Sequence, residues 1–448
     1  CRWEHFEVDQ DRLVELARRA DRVAHPFALL SAVDDPLAHR RAAETWVADR
    51  QPAMPGLGPI VPGTPGPRLR VAYLSADFRE HPVAYLMAEV FERHDRTRIE
   101  LFALNAARDD GGPMRRRIEA AFDHFIDIRS MSDREVAQRA REIGIDVLVD
   151  LTGFTAGSRL GVLAWRAAPV QVSYLGYLGT LGAPYVDHLL ADAVIVPDDA
   201  RSFYTEKIVR LPSYQANDTR RAIADRRFTR EELGLPPQGF VFCCFNGTYK
   251  LTPAMFDRWM RILAAVPGSV LMLYADNEWV AGNLRQAAQA RGVAPDRLVL
   301  GGQLPRDEYL VRYRAADLFL DTSPYNAGTT ASDALWAGLP VLTAPGRSFA
   351  SRMAASLLHA AGLPELVADD GDDYERRAIE LATQPDRLAR VRQRLAEQRD
   401  HCALFDTTRF TRNLERAYEA LGARARQGIA PDHLDVADVG PTAAAGPA

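Results

Sequence analysis

Cysteine is scarce in this sequence. Its four residues, Cys1, Cys243, Cys244 and Cys402, sit at spacings that fit neither a metal site nor a disulfide framework. Cys243 and Cys244 are adjacent in the apolar run "FVFCCFN", which reads as a strand holding buried, inert thiols and suits a reducing compartment. Lysine is scarcer still: Lys207 and Lys250 stand alone against an abundance of arginine. No apolar run reaches the roughly 18 residues of a membrane span, and no signal peptide is visible. Charge of one sign is also lacking. The 55 Lys and Arg against 60 Asp and Glu give a net charge of −5, so neither nucleic acid nor an anionic membrane is expected as a partner. The acidic clusters "DQD" at 9–11 and "DDGDD" at 369–373 lie away from strand ends and read as solvated acids, so no metal is expected.

What is present is globular, with 47% hydrophobic and 26% charged residues. Residues 1–50 have a helical pattern, and 51–68 form a linker dense in Pro and Gly. The "GLGPIVPG" inside it follows no strand, and its prolines prevent a helix start, so it is not a nucleotide-binding loop. From 69 to 230 apolar strands such as "LRVAYLSA", "IELFALNA" and "IDVLVDLTG" alternate with amphipathic helices, and the pattern restarts from 238 to 385 with "GFVFCCFN", "SVLMLYA" and "DLFLDTSP". Such alternation predicts α/β architecture: two doubly wound, Rossmann-like lobes with parallel sheets covered on both faces. Helices are expected over 386–425 and a disordered tail over 426–448. Ligands of open α/β sheets sit beyond the carboxyl ends of the strands, here in a cleft expected between the lobes, so the candidate residues are those that follow strands.

"YNAGTTASDALWAGLP" follows such a strand and opens a helix at Thr329 or Thr330. A helix N-terminus presents unpaired N–H groups to an anion such as phosphate. Gly328 allows close approach, Thr329 and Thr330 offer hydroxyls, and Asp333 lies one turn deeper. The competing reading is a capping box made by Thr330 and Asp333. In "FNGTYKLTP" Lys250 suits a diphosphate, or is a loop lysine open to solvent. In "DFREHPVAYLM" His81 precedes a helix with Pro82 in its first turn, and is either a general acid–base or a solvated loop residue. "YLGYLGTLGAP" spaces Gly176, Gly179 and Gly182 as G-x-x-G-x-x-G. This is not the G-x-G-x-x-G of dinucleotide oxidoreductases; it fits a loop beside a sugar or a plain turn. His188 reads as structural.

Together "DFREHPVAYLM", "DHFIDI", "DVLVDLTGFT", "APVQVSYLGYLGT", "FNGTYKLTP", "ADLFLDTSPYNAGTTASDALWAGLPVLT" and "ASRMAASLL", in this order, resemble the catalytic region of the O-linked N-acetylglucosamine transferases. That family includes bacterial relatives, the SPINDLY O-fucosyltransferase relative and bacterial N-glucosyltransferases. The resemblance spans roughly residues 69–385. It implies a GT-B fold and metal-independent, inverting transfer of a sugar, foremost GlcNAc from UDP-GlcNAc, to Ser or Thr of a protein acceptor in the cytoplasm, with no cofactor beyond the nucleotide-sugar donor. It also implies upstream tetratricopeptide repeats, which are missing here, as suits a piece of a longer chain that starts at Cys1.

By the same resemblance Lys250 neutralises the departing diphosphate, and Gly328, Thr329 and Thr330 bind its phosphates. Asp333 holds the ribose, Tyr309 stacks on the base beside Arg306, and Gly176 and Gly179 line the sugar. His81 is a candidate base and His124 a second cleft histidine. The chain departs from the animal enzymes at Gly328, where they carry a histidine, and at Gly247, where they carry a longer polar residue. Both changes leave GDP-fucose and UDP-glucose open as donors. A GT-B epimerase or hydrolase, and a non-catalytic nucleotide-sugar sensor, remain as further alternatives.

Overall fold

Two seven-residue apolar runs, Leu69–Ser75 (β1) and Ile99–Asn105 (β2), pair in parallel over their whole length and begin the first sheet. His124–Asp127 (β3), Val147–Asp150 (β4), Val170–Ser173 (β5), His188–Ala191 (β6) and Lys207–Arg210 (β7) continue it. The second sheet contains Val241–Cys244 (β8), Val270–Tyr274 (β9), Leu298–Gly301 (β10), Leu318–Leu320 (β11) and Val341–Leu342 (β12). Leu434–Asp435 (β13) returns to the first sheet and pairs in parallel with β7. The computed structural model describes residues 1–21, 24–60 and 66–441.

Every strand pairing is parallel, and the central strands are buried on both faces. This explains their continuous apolar runs in place of polar alternation. The helices between strands carry ordinary end signals. Asp133–Ile143, for example, is opened by a Ser132–Glu135 capping box and closed by left-handed Gly144. Cys243 and Cys244 lie inside β8, where burial pushes both thiols up. Among the described residues no helix is long and apolar enough to cross a membrane.

The chain divides into two units by its own contacts. One comprises Cys1–Arg12, Leu30–Asp34 and Arg220–Cys402; the other comprises Leu13–Leu29, Asp35–Thr219 and the chain from Ala403 on. The switch thus falls at 219/220, and the second-sheet unit takes in the helix Pro385–Arg399. The first fifty residues carry the helices Phe6–Arg18, Pro26–Ala32 and Pro36–Arg50, shared between the units. The helix Thr407–Arg426 belongs to the first-sheet unit. There Glu415 accepts from His94 Nδ1 at 2.9 Å, and the His94 Nε2 meets the Tyr73 hydroxyl of β1 at 2.9 Å, both inside the core.

Two expectations need correction. β7, in "EKIVRLP", was not foreseen as a strand. The tail expected to be disordered from 426 carries β13, held by Val436 N–H donating to Arg210 O at 2.8 Å and Ile208 N–H donating to His433 Nδ1 at 2.9 Å. The tail's last residues, 442–448, and part of the Pro/Gly linker, 61–65, lie outside the described residues.

The first sheet runs β13-β7-β6-β5-β4-β1-β2-β3 and the second β10-β9-β8-β11-β12. Chain order reverses between β1 and β4 in the first and between β8 and β11 in the second. These are the switch points at which doubly wound sheets open a crevice for a ligand.

Candidate functional site

In the second-sheet unit the switch point is built from the loop after β8 and the loop after β11. Asn246 ties the two together: its Nδ2 donates to Thr322 Oγ1 at 2.7 Å, and its Oδ1 accepts from the Thr330 hydroxyl. Beside it Asp321, 2% exposed, accepts from Thr322 N, Ala327 N and Thr343 Oγ1, each at 2.7 Å. Lys250 is not a solvated loop lysine. It is buried, its Nζ donates to Asn326 O at 2.9 Å, and the ammonium lies 3.7 Å from the centre of the Tyr325 ring. Burial pulls its pKa down, opposed by Asp321, whose own carboxyl is raised chiefly by burial. An ammonium with three N–H groups and one such bond keeps donors for an anion.

The helix Thr329–Trp336 begins at the same place. Its N-cap is Gly328, and no side chain caps it. The capping box expected from Thr330 and Asp333 is therefore absent, because both side chains are engaged elsewhere. The first N–H groups of the helix stay available, which is the condition for an anion site.

Asp333 is 0% exposed. Its Oδ2 accepts from Arg306 Nη1 at 2.7 Å, and its Oδ1 accepts from Arg306 Nη2 at 2.8 Å and from Arg221 Nη1 at 2.6 Å. The carboxylate expected to hold a ribose instead anchors two arginines. Arg306 lies over Tyr309 at 5.7 Å. The Tyr309 hydroxyl is bonded to that of Tyr313, which in turn donates to Thr330 O at 3.1 Å. Burial raises the pKa of both phenols.

Two residues of this site escaped sequence reasoning. Arg221 lies 112 residues before Asp333 in sequence and packs its guanidinium over Trp336 at 5.3 Å. Arg312 is 3% exposed, lies 4.0 Å from the Phe245 ring centre and donates from Nη1 to Gly302 O at 3.0 Å. Its Nε and Nη2 have no hydrogen-bond partner among the described residues. In an arginine-rich sequence neither looks unlike its neighbours.

In the first-sheet unit His81 follows β1 and is the N-cap of the helix Pro82–Arg93, with Val83 N–H donating to its Nδ1 at 3.3 Å. In the neutral ring the proton then sits on Nε2, so this histidine presents a donor rather than the lone pair a base requires. Burial, with Arg79, lowers its pKa to about 4. Asp77 Oδ1 lies 3.5 Å from the same Nδ1. Burial, with Asp150 nearby, raises Asp77 to about 6. Asp150, at the end of β4, is also raised to about 6 by burial and accepts from Thr152 N at 3.1 Å and Gly153 N at 2.9 Å.

One further expectation is corrected here. His124 starts β3 in register with Phe102 and Ala72, below the carboxyl end of the sheet. It stacks on Phe102 at 4.4 Å and bonds Glu100 at 3.0 Å, so it is a surface residue on the amino-terminal side, away from His81. Gly176 follows β5, and a Cβ there would lie 2.0 Å from Leu151 O. Gly179 is buried against the Tyr177 ring, 3.2 Å from where its Cβ would be. His188 is buried in β6, as a structural histidine should be. Of the acidic clusters, Asp370 caps the helix Gly371–Thr383 and Asp373 pairs with Arg377 at 2.7 Å.

Two doubly wound parallel-sheet units, one with a buried lysine and an uncapped helix N-terminus at its switch point, are the architecture of the GT-B fold. The model of glycosyl transferase family 41 matches residues 62–224 and 218–414, and the chain belongs to that family. It is 36% identical over 82% of its length to the probable UDP-N-acetylglucosamine–peptide N-acetylglucosaminyltransferase SEC of Arabidopsis thaliana, covering 38% of that protein. It is 27% identical to the Caenorhabditis elegans UDP-N-acetylglucosamine–peptide N-acetylglucosaminyltransferase, with 82% of this chain and 42% of that one covered. The chain thus spans about two-fifths of the curated relatives it matches. A mutant of Thermobaculum terrenum O-GlcNAc transferase superposes with a TM-score of 0.81 at 33% identity, over 95% of this chain and 79% of that one. Anabaena HepE, solved with UDP and glucose, shares the fold alone, at a TM-score of 0.53 and 13% identity over 79% of this chain and 100% of that one.

Proposed function

We propose that this chain is the catalytic region of a protein O-GlcNAc transferase, moving N-acetylglucosamine from UDP-GlcNAc to Ser or Thr hydroxyls of protein acceptors in the cytoplasm, with inversion and without a metal. The observation that carries the reading is the buried Lys250 ammonium at the β8/β11 switch point, beside the uncapped N-terminus of Thr329–Trp336. In the reaction the acceptor oxygen attacks the anomeric carbon and the bond to the β-phosphate oxygen breaks. Negative charge then accumulates on the departing diphosphate. Stabilising that charge with preorganised donors is what lowers the barrier, and Lys250 together with the first N–H groups at Thr329 and Thr330 supplies them. Arg306, Tyr309 and Arg312 form the nucleotide side, with Asp333 holding Arg306 in place. His81 contributes an N–H donor, and the hydroxyl proton ends on the departing diphosphate.

Calorimetry with UDP, GDP, UDP-GlcNAc, UDP-glucose and GDP-fucose, paired with intact-mass analysis of a Ser/Thr-rich acceptor, tests the reading. The expected result is binding of UDP and UDP-GlcNAc and growth of the acceptor by one N-acetylhexosamine. Growth only with GDP-fucose or UDP-glucose overturns the donor assignment. Free sugar released without any acceptor overturns transfer.

A further inference from the structure

Val33, Asp34 and Asp35 join the helices Pro26–Ala32 and Pro36–Arg50, and the two aspartates have different tasks. Asp35 is the N-cap of the second helix, its Oδ1 accepting from Leu37 N at 2.9 Å and Ala38 N at 3.2 Å. Asp34 ends the short segment Leu30–Asp34 that belongs to the second-sheet unit. Its carboxylate reaches a turn at 346–351, after β12, 313 positions later in the chain. There Oδ1 accepts from Ser348 N and from the Ser351 hydroxyl, both at 2.8 Å, and Oδ2 accepts from Arg347 N at 2.9 Å. Ser348 and Ser351 are 0% exposed, and donors so buried need acceptors. The turn is shaped around the carboxylate: a Cβ on Gly346 would lie 2.2 Å from Asp34 Oδ2.

The same turn supports the lysine. Ala350 O accepts from Asn326 N at 3.0 Å, and Asn326 O accepts from Lys250 Nζ at 2.9 Å. Asn326 is fully buried, and its Nδ2 donates to Thr322 O at 2.7 Å. The ammonium thus follows Asn326, Asn326 follows Ala350, and Ala350 lies between the two serines that meet Asp34. We propose that Asp34 is a positioning residue for sugar transfer: it locks the 346–351 turn against Asn326 and so sets Lys250 where the diphosphate departs. The proposal rests on the leaving-group role of Lys250 and extends it to a carboxylate in the N-terminal helical region. Misplacing a reacting group by about 1 Å can cost about a hundredfold in rate. A turn that loosens without unfolding costs less than that.

The test is a double-mutant cycle on the chain as it stands. UDP affinity is read by calorimetry, turnover by UDP release from UDP-GlcNAc with a Ser/Thr-rich acceptor, and stability by thermal unfolding. Asp34→Ala removes the carboxylate and Gly346→Ala displaces it, so each should lower turnover and UDP affinity about fivefold. The two changes are independent, and a fold lost in one leaves the cycle readable in the other. In a chain that already carries Lys250→Ala, either change should cost nothing further in UDP affinity or turnover, because the group it positions is gone. Asp35→Ala removes the neighbouring cap; it should lower the melting temperature and leave UDP affinity and turnover as in wild type. A loss that recurs in full on Lys250→Ala, or no loss in Asp34→Ala and Gly346→Ala, overturns the proposal while leaving Lys250 in its role. Unchanged turnover and UDP affinity in Lys250→Ala itself overturn that role and the proposal with it.

Discussion

Arg306 grips Asp333 with both ends of its guanidinium, Nη1 to Oδ2 at 2.7 Å and Nη2 to Oδ1 at 2.8 Å, over a carboxylate that is 0% exposed. Removing one partner of a buried pair leaves the other charge uncompensated, at a cost of about 3–5 kcal/mol. Asp333→Asn should lose stability of that order in urea unfolding, because Arg221 is stranded as well. Arg306→Lys cannot restore the two-pronged geometry and should weaken UDP binding in calorimetry while costing less stability. Equal stability of Asp333→Asn and wild type would show that the cluster does not hold together as described.

Lys250→Ala should lower turnover at least tenfold, about 1.4 kcal/mol of barrier, in a product-release assay at saturating donor. The fold should tolerate the change, since the replaced ammonium is desolvated and anchored by one carbonyl, Asn326 O. Unchanged turnover would remove Lys250 from the leaving-group role.

Asp77 gives a pH signature in stability. Its carboxyl, 4% exposed, is raised to about 6 from an ordinary value of about 3.9. The folded state therefore holds the proton more tightly than the unfolded chain, and the stability from this group is full below about pH 4 and is lost as pH rises through 6. Asp77→Asn cannot ionise. It should exceed wild type by on the order of 3 kcal/mol at pH 8 and match it near pH 4, as read by thermal unfolding at the two pH values. A gain of equal size at both would contradict the buried-charge cause.

For His81, cap and chemistry can be separated. Asn is a good N-cap and Ala is not, so His81→Asn should keep the melting temperature and His81→Ala should lose about 1 kcal/mol. If the imidazole donates to substrate, both variants lose turnover. With its pKa lowered to about 4, the ring is neutral from pH 5.5 upward, and the pH–rate profile should carry no histidine limb near the ordinary value of about 6.5. A limb there that disappears in His81→Asn would overturn this protonation state.

Much of the fold was legible because buried parallel strands have a plain signature: β8 and β9 are unbroken apolar runs, and β1 and β2 are apolar except for Arg70, Ser75, Glu100 and Asn105. β13 has none, being two residues in a polar stretch whose pairing depends on β7 more than 200 positions earlier. Position after a strand correctly marked Lys250 and Thr330 as neighbours of one switch point. The resemblance misplaced His124, which opens the strand "HFIDI" and so does not follow one. Asp333 and Arg306 were both singled out, but their pairing with each other and with Arg221 was not, because ion pairs between distant segments leave no local pattern.

The pairing of β13 with β7 gives the last dozen described residues a protective task. If the chain is cut after Arg426, β7 becomes the outermost strand, and the peptide groups of Ile208 and Arg210 that now meet His433 and Val436 turn outward. An uncovered parallel edge is adhesive toward any other extended chain. Shortening the C-terminus would therefore show itself as self-association on a sizing column before any change in donor binding, although the sheet end concerned lies six strands away from β3.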